Sequence, residues 1–215
     1  MFQRIKDKIK DKSLIIFGEI HGTKEIPELL SRFFSEIAKE EDFNVCLEIP
    51  EEFQNQMNFF MESGNFHVLE GISFFYKENC SDGRNSLDYI RLIESIHRIN
   101  LTYNKKIQIF CIDPLANSQD EKEIGLSENI LKTLNNKKTF VILGDIHASK
   151  KEIILGNMTI VPASFLIYKK IKEKMINIRI APKNKELNDE EKDFNKGFDY
   201  IVEIPDITSC SFLQH

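Results

Sequence analysis

A chain of 215 residues with 41% hydrophobic and 29% charged side chains is long enough to bury one core of ordinary α/β size. A net charge of -5 and a pI near 5.6 argue against nucleic acid as a main partner, and no run of about 18 apolar residues offers a membrane span. Four scattered cysteines (Cys46, Cys80, Cys111, Cys210) lack Cys-x-x-Cys spacing and suit a reduced, cytoplasmic protein; Cys46 and Cys111 read as small hydrophobes inside apolar runs.

Residues 1–12, MFQRIKDKIKDK, are basic but have neither an apolar h-region nor a cleavage site. They read as a short solvated leader or fraying helix rather than a secretory signal. SLIIFGEIHG (13–22) is a strand that runs into Gly18, Glu19 and His21. Residues 24–42 then place Ile26, Leu29, Leu30, Phe33, Phe34, Ile37 and Ala38 at helical spacing. NVCLEIP (44–50) is a second strand, stopped by Pro50, which suits the first turn of a helix carrying Phe53, Met57 and Phe60. Residues 64–84 are irregular, and SDGRNS (81–86) has turn chemistry.

From about Ser86 a helix shows Leu87, Ile90, Ile93, Ile96 and His97 on one side. IQIFCID (107–113) is a third strand, ended by Pro114. A polar helix around 121–135 is expected to bury Ile124, Ile130, Leu131 and Leu134, and TFVILGDIHA (139–148) is the fourth strand. MTIVPASFLIYKKI, MINIRIAP and FDYIVEIP add short strands, with a helix near 163–172. KNKELNDEEKDFNKG (183–197) is a charged surface insert, a solvated loop or short helix.

Strands alternating with helices predict a single α/β domain over 1–215, with a mainly parallel central sheet and helices on both faces. The strands are apolar throughout, as such burial requires. Ligands in this architecture gather beyond the carboxyl ends of the strands. There stand Glu19 and His21, Glu48, Asp113, and Asp145 and His147.

Two histidines in matching Gly-acid-Ile-His settings point to a shared purpose. Two imidazoles plus a carboxylate can hold a zinc-like ion with a place left for water, and His21, Glu19, Glu48 and His147 are the candidate ligands. The same set without metal can run general-base catalysis, a carboxylate orienting the histidine. The residues alone leave both open. Arg84 can clamp a substrate anion or stabilise an oxyanion. Asp113 before Pro114 reads as a helix-start or turn residue, His97 as a helix-face residue, and His67 and His215 carry no pattern. No Gly-x-Ser-x-Gly, P-loop or Rossmann fingerprint occurs.

At these residues the sequence resembles the erythromycin esterase/ChaN-like superfamily, which includes the TraB and TIKI proteins. Its mark is a pair of GxxH motifs, here Gly18-Glu19-Ile20-His21 and Gly144-Asp145-Ile146-His147, with Glu48 of LEIP after the second strand. SDGRNSLDYIRLI looks like the family's DGR-S stretch, which makes Arg84 the matched arginine. The resemblance covers residues 13 to 165. It implies an α/β domain with both histidines and Glu48 facing one pocket, where Asp145 would be an extra substrate-binding carboxylate, because small members often carry Asn there.

Relatives diverge between macrolide lactone hydrolysis by water attack, metal-dependent peptide cleavage and haem binding by an iron-related lipoprotein. The expectation is therefore a hydrolase acting on a small-molecule or peptide substrate, with a divalent metal possible. The competing expectation is a haem- or metal-binding protein without hydrolytic activity, and a third is a degenerate member acting as an interaction module. Small members also often show an Arg ahead of a Met-Ala-x-Asn-Ile helix. The matching piece here, EKEIGLSENI, has none, which suggests a missing substrate clamp.

Overall fold

The computed structural model describes residues 1–80, 82–183 and 187–213. Ser81 of the turn segment, residues 184–186 of the charged insert, and His215 lie outside the described residues.

The chain runs α1 (Phe2–Ile9), β1 (Leu14–Glu19), α2 (Glu25–Ala38), β2 (Phe43–Pro50), α3 (Gln54–Ser63), α4 (His67–Glu70), α5 (Leu87–Tyr103), β3 (Gln108–Asp113) and α6 (Gln119–Lys132). It continues with β4 (Lys138–Gly144), α7 (Asp145–Ala148), β5 (Ile153–Leu155), β6 (Met158–Ile160), α8 (Ala163–Ile171), β7 (Met175–Pro182), α9 (Asp189–Asn195) and β8 (Tyr200–Ile204). Six strands form one sheet in the order β3-β2-β4-β1-β7-β8, and every neighbouring pair is parallel.

Continuous apolar strands follow from helices on both faces. Phe17, Phe43 and Phe140 point from the sheet onto Phe33 and Phe34 of α2, with ring centroids 5.2–6.2 Å apart. The opposite face packs Leu14, Ile16, Cys46, Val141 and Leu143 against Leu126, Ile130 and Ile167 of α6 and α8. Burial pushes the Cys46 and Cys111 thiols up to about 12, so both are inert fillers.

Register decides where the two histidine motifs meet. β1 and β4 are neighbours, with Glu19 opposite Gly144, so both GxxH segments leave the sheet side by side. β2 lies on the far side of β4 and delivers Glu48 to the same edge.

Three expectations change. Residues 2–9 are no solvated leader: Ile5 and Ile9 are buried in the main core, and Phe2 lies 5.7 Å from Phe33. On α6 it is Glu123 that is buried, while Ile124 is 50% exposed, because a histidine is waiting for that carboxylate. An antiparallel hairpin, β5–β6, follows the second histidine motif, its first strand unforeseen. The segment 64–84 is irregular as expected, yet Leu69, Ile72, Phe74 and Phe75 anchor it in the core. The charged insert contains α9, started by an Asn188–Glu191 capping box.

Candidate functional site

Glu48 is the centre of the strand-end cluster. It is 3% exposed, and its two oxygens are approached from opposite sides by the two imidazoles. His21 Nε2 lies 3.8 Å from Oε2, and His147 Nε2 lies 3.5 Å from Oε1. The amide of Gly144 donates to Oε2 at 3.1 Å. Burial alone would push the Glu48 carboxyl up; the charges of His147, Arg84, Lys122 and His21 instead hold it down at about 2.

Each histidine is aimed by its own acid. His21 Nδ1 meets Glu19 Oε1 at 2.9 Å, and the buried Tyr89 hydroxyl donates to that same oxygen. His147 Nδ1 meets Glu123 Oε1 at 2.7 Å, and Glu123 in turn accepts from the Ala163 amide at 2.7 Å and from Gln119 at 2.6 Å. With Nδ1 occupied, each ring presents Nε2 to the site. Burial opposes protonation of His21, but the Glu19 hydrogen bond and the Glu19 and Glu48 charges outweigh it, so its pKa rises above 6.5. Burial and the Glu19 charge together hold the Tyr89 hydroxyl far above its ordinary range, so it remains a donor.

Arg84 comes from the irregular segment as expected, and its guanidinium is ion-paired with three acids. Nη1 donates to Glu48 Oε1 at 2.8 Å and to Asp113 Oδ2 at 3.0 Å, and Nε donates to Asp82 Oδ2 at 2.8 Å. Its charge helps to hold Glu48 ionised. Asp113, read from sequence as a turn residue, belongs to the cluster. EKEIGLSENI has no Arg, but its Lys122 reaches the cluster, with the ammonium 3.1 Å from Glu48 and 3.2 Å from Asp113. Asp145 does not join the group around Glu48; its Oδ2 accepts from Arg179 Nε at 2.8 Å. Burial pushes the Asp145 carboxyl up, against the pull of Arg179.

The motif glycines are there for space. A Cβ on Gly144 would lie 2.6 Å from His21 Nε2, and one on Gly18 would lie 2.9 Å from Asp145 Oδ1 and from Ala148 Cβ. Each motif's glycine therefore makes room for the other motif. Conformational freedom matters instead at Gly83, where φ is +98° and the backbone packs directly on Gly22, docking the Arg84 loop against the His21 turn.

His97 is structural: Nδ1 bonds the Met61 carbonyl at 3.1 Å, and the ring packs on Phe60. His67 is a surface residue paired with Glu70. Tyr89, Lys122, Glu123 and Arg179 escaped the sequence reading. Only the helical phase of Glu123, on the apolar side of α6, was a visible signal.

The donor set does not suit a divalent cation. Glu48 already accepts from Arg84, Lys122 and the Gly144 amide, so an ion on it would sit against two cations. Among the described residues no group of three or more His, Cys, Asp or Glu is arranged to hold a metal. Nor does the site suit haem, whose faces are apolar, because the walls around the histidines are Glu48, Arg84, Asp113 and Lys122.

No protein-family profile and no curated sequence matches the chain. Solved structures do. A mutant of the erythromycin esterase EreC in its open conformation aligns with a TM-score of 0.68 at 9% identity, over 84% of this chain and 72% of that one. A succinoglycan biosynthesis protein aligns with a TM-score of 0.69 at 14% identity, over 85% and 69%. The haem-bound ChaN of Campylobacter jejuni aligns with a TM-score of 0.55 at 13% identity, over 93% and 90%. The chain has the erythromycin esterase/ChaN-like fold. No helix among the described residues is long and apolar enough to cross a membrane.

Proposed function

We propose that the chain hydrolyses an ester or amide-type bond by general-base activation of water, with His21 as the base and no metal in the step. The observation that carries this is the ordered series Tyr89–Glu19–His21, in which the His21 side chain is 20% exposed and Nε2 lies 3.8 Å from a carboxylate held ionised. A water to one side of that gap reaches both atoms at hydrogen-bonding distance. His21 takes a proton from it while the water oxygen bonds to the carbonyl carbon. Lys122, whose ammonium lies 3.1 Å from Glu48 and 3.2 and 3.4 Å from the two Asp113 oxygens, supplies positive charge for the developing oxyanion. Collapse breaks the bond to the leaving group, which departs with the electron pair and takes the proton from the His21 imidazolium. His147, fixed by Glu123, is the second base on the other side of Glu48.

Screening the purified protein against p-nitrophenyl esters and short peptides tests this. Turnover that survives EDTA and falls by roughly a hundredfold or more in His21→Ala is the expected result. A Soret band on the purified protein, or EDTA-sensitive turnover restored by zinc, would replace this mechanism with haem binding or metal catalysis.

A further inference from the structure

Arg179 is the one charged residue of the largely apolar core strand β7, and only part of its guanidinium is used. Nε donates to Asp145 at 2.8 Å and Nη1 to Asn195 Oδ1 at 2.6 Å, while the group lies 4.8 Å from the Phe194 ring centre. Nη2 donates to no described residue. Neither does the Asn195 amide nitrogen, which the bond from Arg179 to Oδ1 turns outward. Both residues line a cavity of about 690 Å³ at the carboxyl end of β7 and β8, together with Ile20, Ile201 and Arg4. Ile20 separates Glu19 from His21, so the cavity abuts the turn that carries the base. Of its two acids, Glu191 is engaged in the α9 cap and Glu203 sits exposed on the rim.

The register sets the span. Arg179 is the Cα partner of Gly18, three residues before His21 on the adjacent strand. Strand rise and spacing put the two Cα atoms at most about 12 Å apart, and the His21 ring turns across Gly144 toward Glu48, so Arg179 and His21 Nε2 are separated by the span of a short dicarboxylic chain rather than brought into contact. The unspent Nη2 of a stacked and doubly tethered guanidinium, with the Asn195 amide beside it, suits the flat two-oxygen edge of a carboxylate.

We propose that Arg179, with Asn195, binds a carboxylate on the acyl part of the substrate. The preferred substrates are then half-esters or half-amides of short dicarboxylic acids, an inference that rests on the hydrolase proposal above.

The test compares mono-p-nitrophenyl glutarate with the neutral p-nitrophenyl valerate, in wild type, Arg179→Gln and Ile201→Glu. Ile201 is the Cα partner of Arg179 on β8 and lines the cavity, so a carboxylate there occupies Arg179 without unpairing Asp145. Wild type should favour the anionic ester by about tenfold or more in kcat/KM, and both variants should lose that ratio. A wild type that prefers the neutral ester, or a ratio unchanged in both variants, overturns the proposal. Calorimetric titration with free glutarate separates it from the hydrolase reading: binding should persist in His21→Ala and vanish in Arg179→Gln. If neither ester is turned over but that binding pattern holds, the subsite stands and the hydrolase reading falls. If glutarate binds Arg179→Gln as it binds wild type, or fails to bind wild type, the subsite falls.

Discussion

Replacing Glu48 by Gln removes the one anion on which both histidines, Arg84 and Lys122 converge. The Glu48 carboxyl is held at about 2 against an ordinary 4.5, and the side chain is 3% exposed, so solvent screening takes little away. That gap corresponds to about 3 kcal/mol of folding stability. Its sign follows from a depressed folded-state pKa: the contribution is complete above pH 4.5 and is lost as pH falls toward 2, with roughly half or less remaining at pH 3. Urea unfolding of wild type and Glu48→Gln at pH 7, 5 and 3 measures it. The variant should be less stable by about 3 kcal/mol at pH 5, by somewhat less at pH 7, where neutral His21 no longer attracts Glu48, and the difference should shrink markedly at pH 3. Arg84 and Lys122 retain Asp113, and Arg84 also retains Asp82, so the variant should still fold. Equal stability at pH 7 would mean that desolvation cancels the attraction. A difference that persists at pH 3 would mean that packing, not charge, carries it.

In Glu19→Gln the main groups that raise the His21 pKa are gone, so the acid limb of kcat/KM, expected above pH 6.5 in wild type, should move to lower pH; an unmoved limb would free His21 from the role of base. Gly144→Ala should cost about 1–3 kcal/mol and sharply reduce turnover while the protein stays folded, because the methyl group meets His21 Nε2; an unshifted His21 imidazole signal in NMR spectra would contradict this. Ile9→Ala should cost about 2–5 kcal/mol in urea unfolding, whereas a loss near zero would return residues 2–9 to the status of a solvated segment.

Sequence by itself determined the alternation of strands and helices, since period and length set each element: the apolar runs of β1, β2 and β4 and the 3.6-residue stripes of α2 and α5 are local properties. It also marked the strand-end acids and histidines, because polar groups are tolerated only where such strands stop. The tertiary structure alone decided which of them touch. Strand order is a nonlocal choice, and by pairing β1 with β4 it brings Glu19 level with Gly144 across more than a hundred residues of chain. The same order leaves Asp145 beside Arg179 of β7 rather than beside Glu48, though the Gly-acid-Ile-His spelling made Glu19 and Asp145 look equivalent. Lys122 and Tyr89 lie on helices whose facing side is known only after packing, and nothing in their immediate sequence distinguishes them from surface residues, while Glu123 is marked by its helical phase alone. The N-terminal helix is of the same kind. Its two isoleucines among lysines are too few to announce a buried face, and it is the exposed shoulder of the sheet and α2 that gives them somewhere to go.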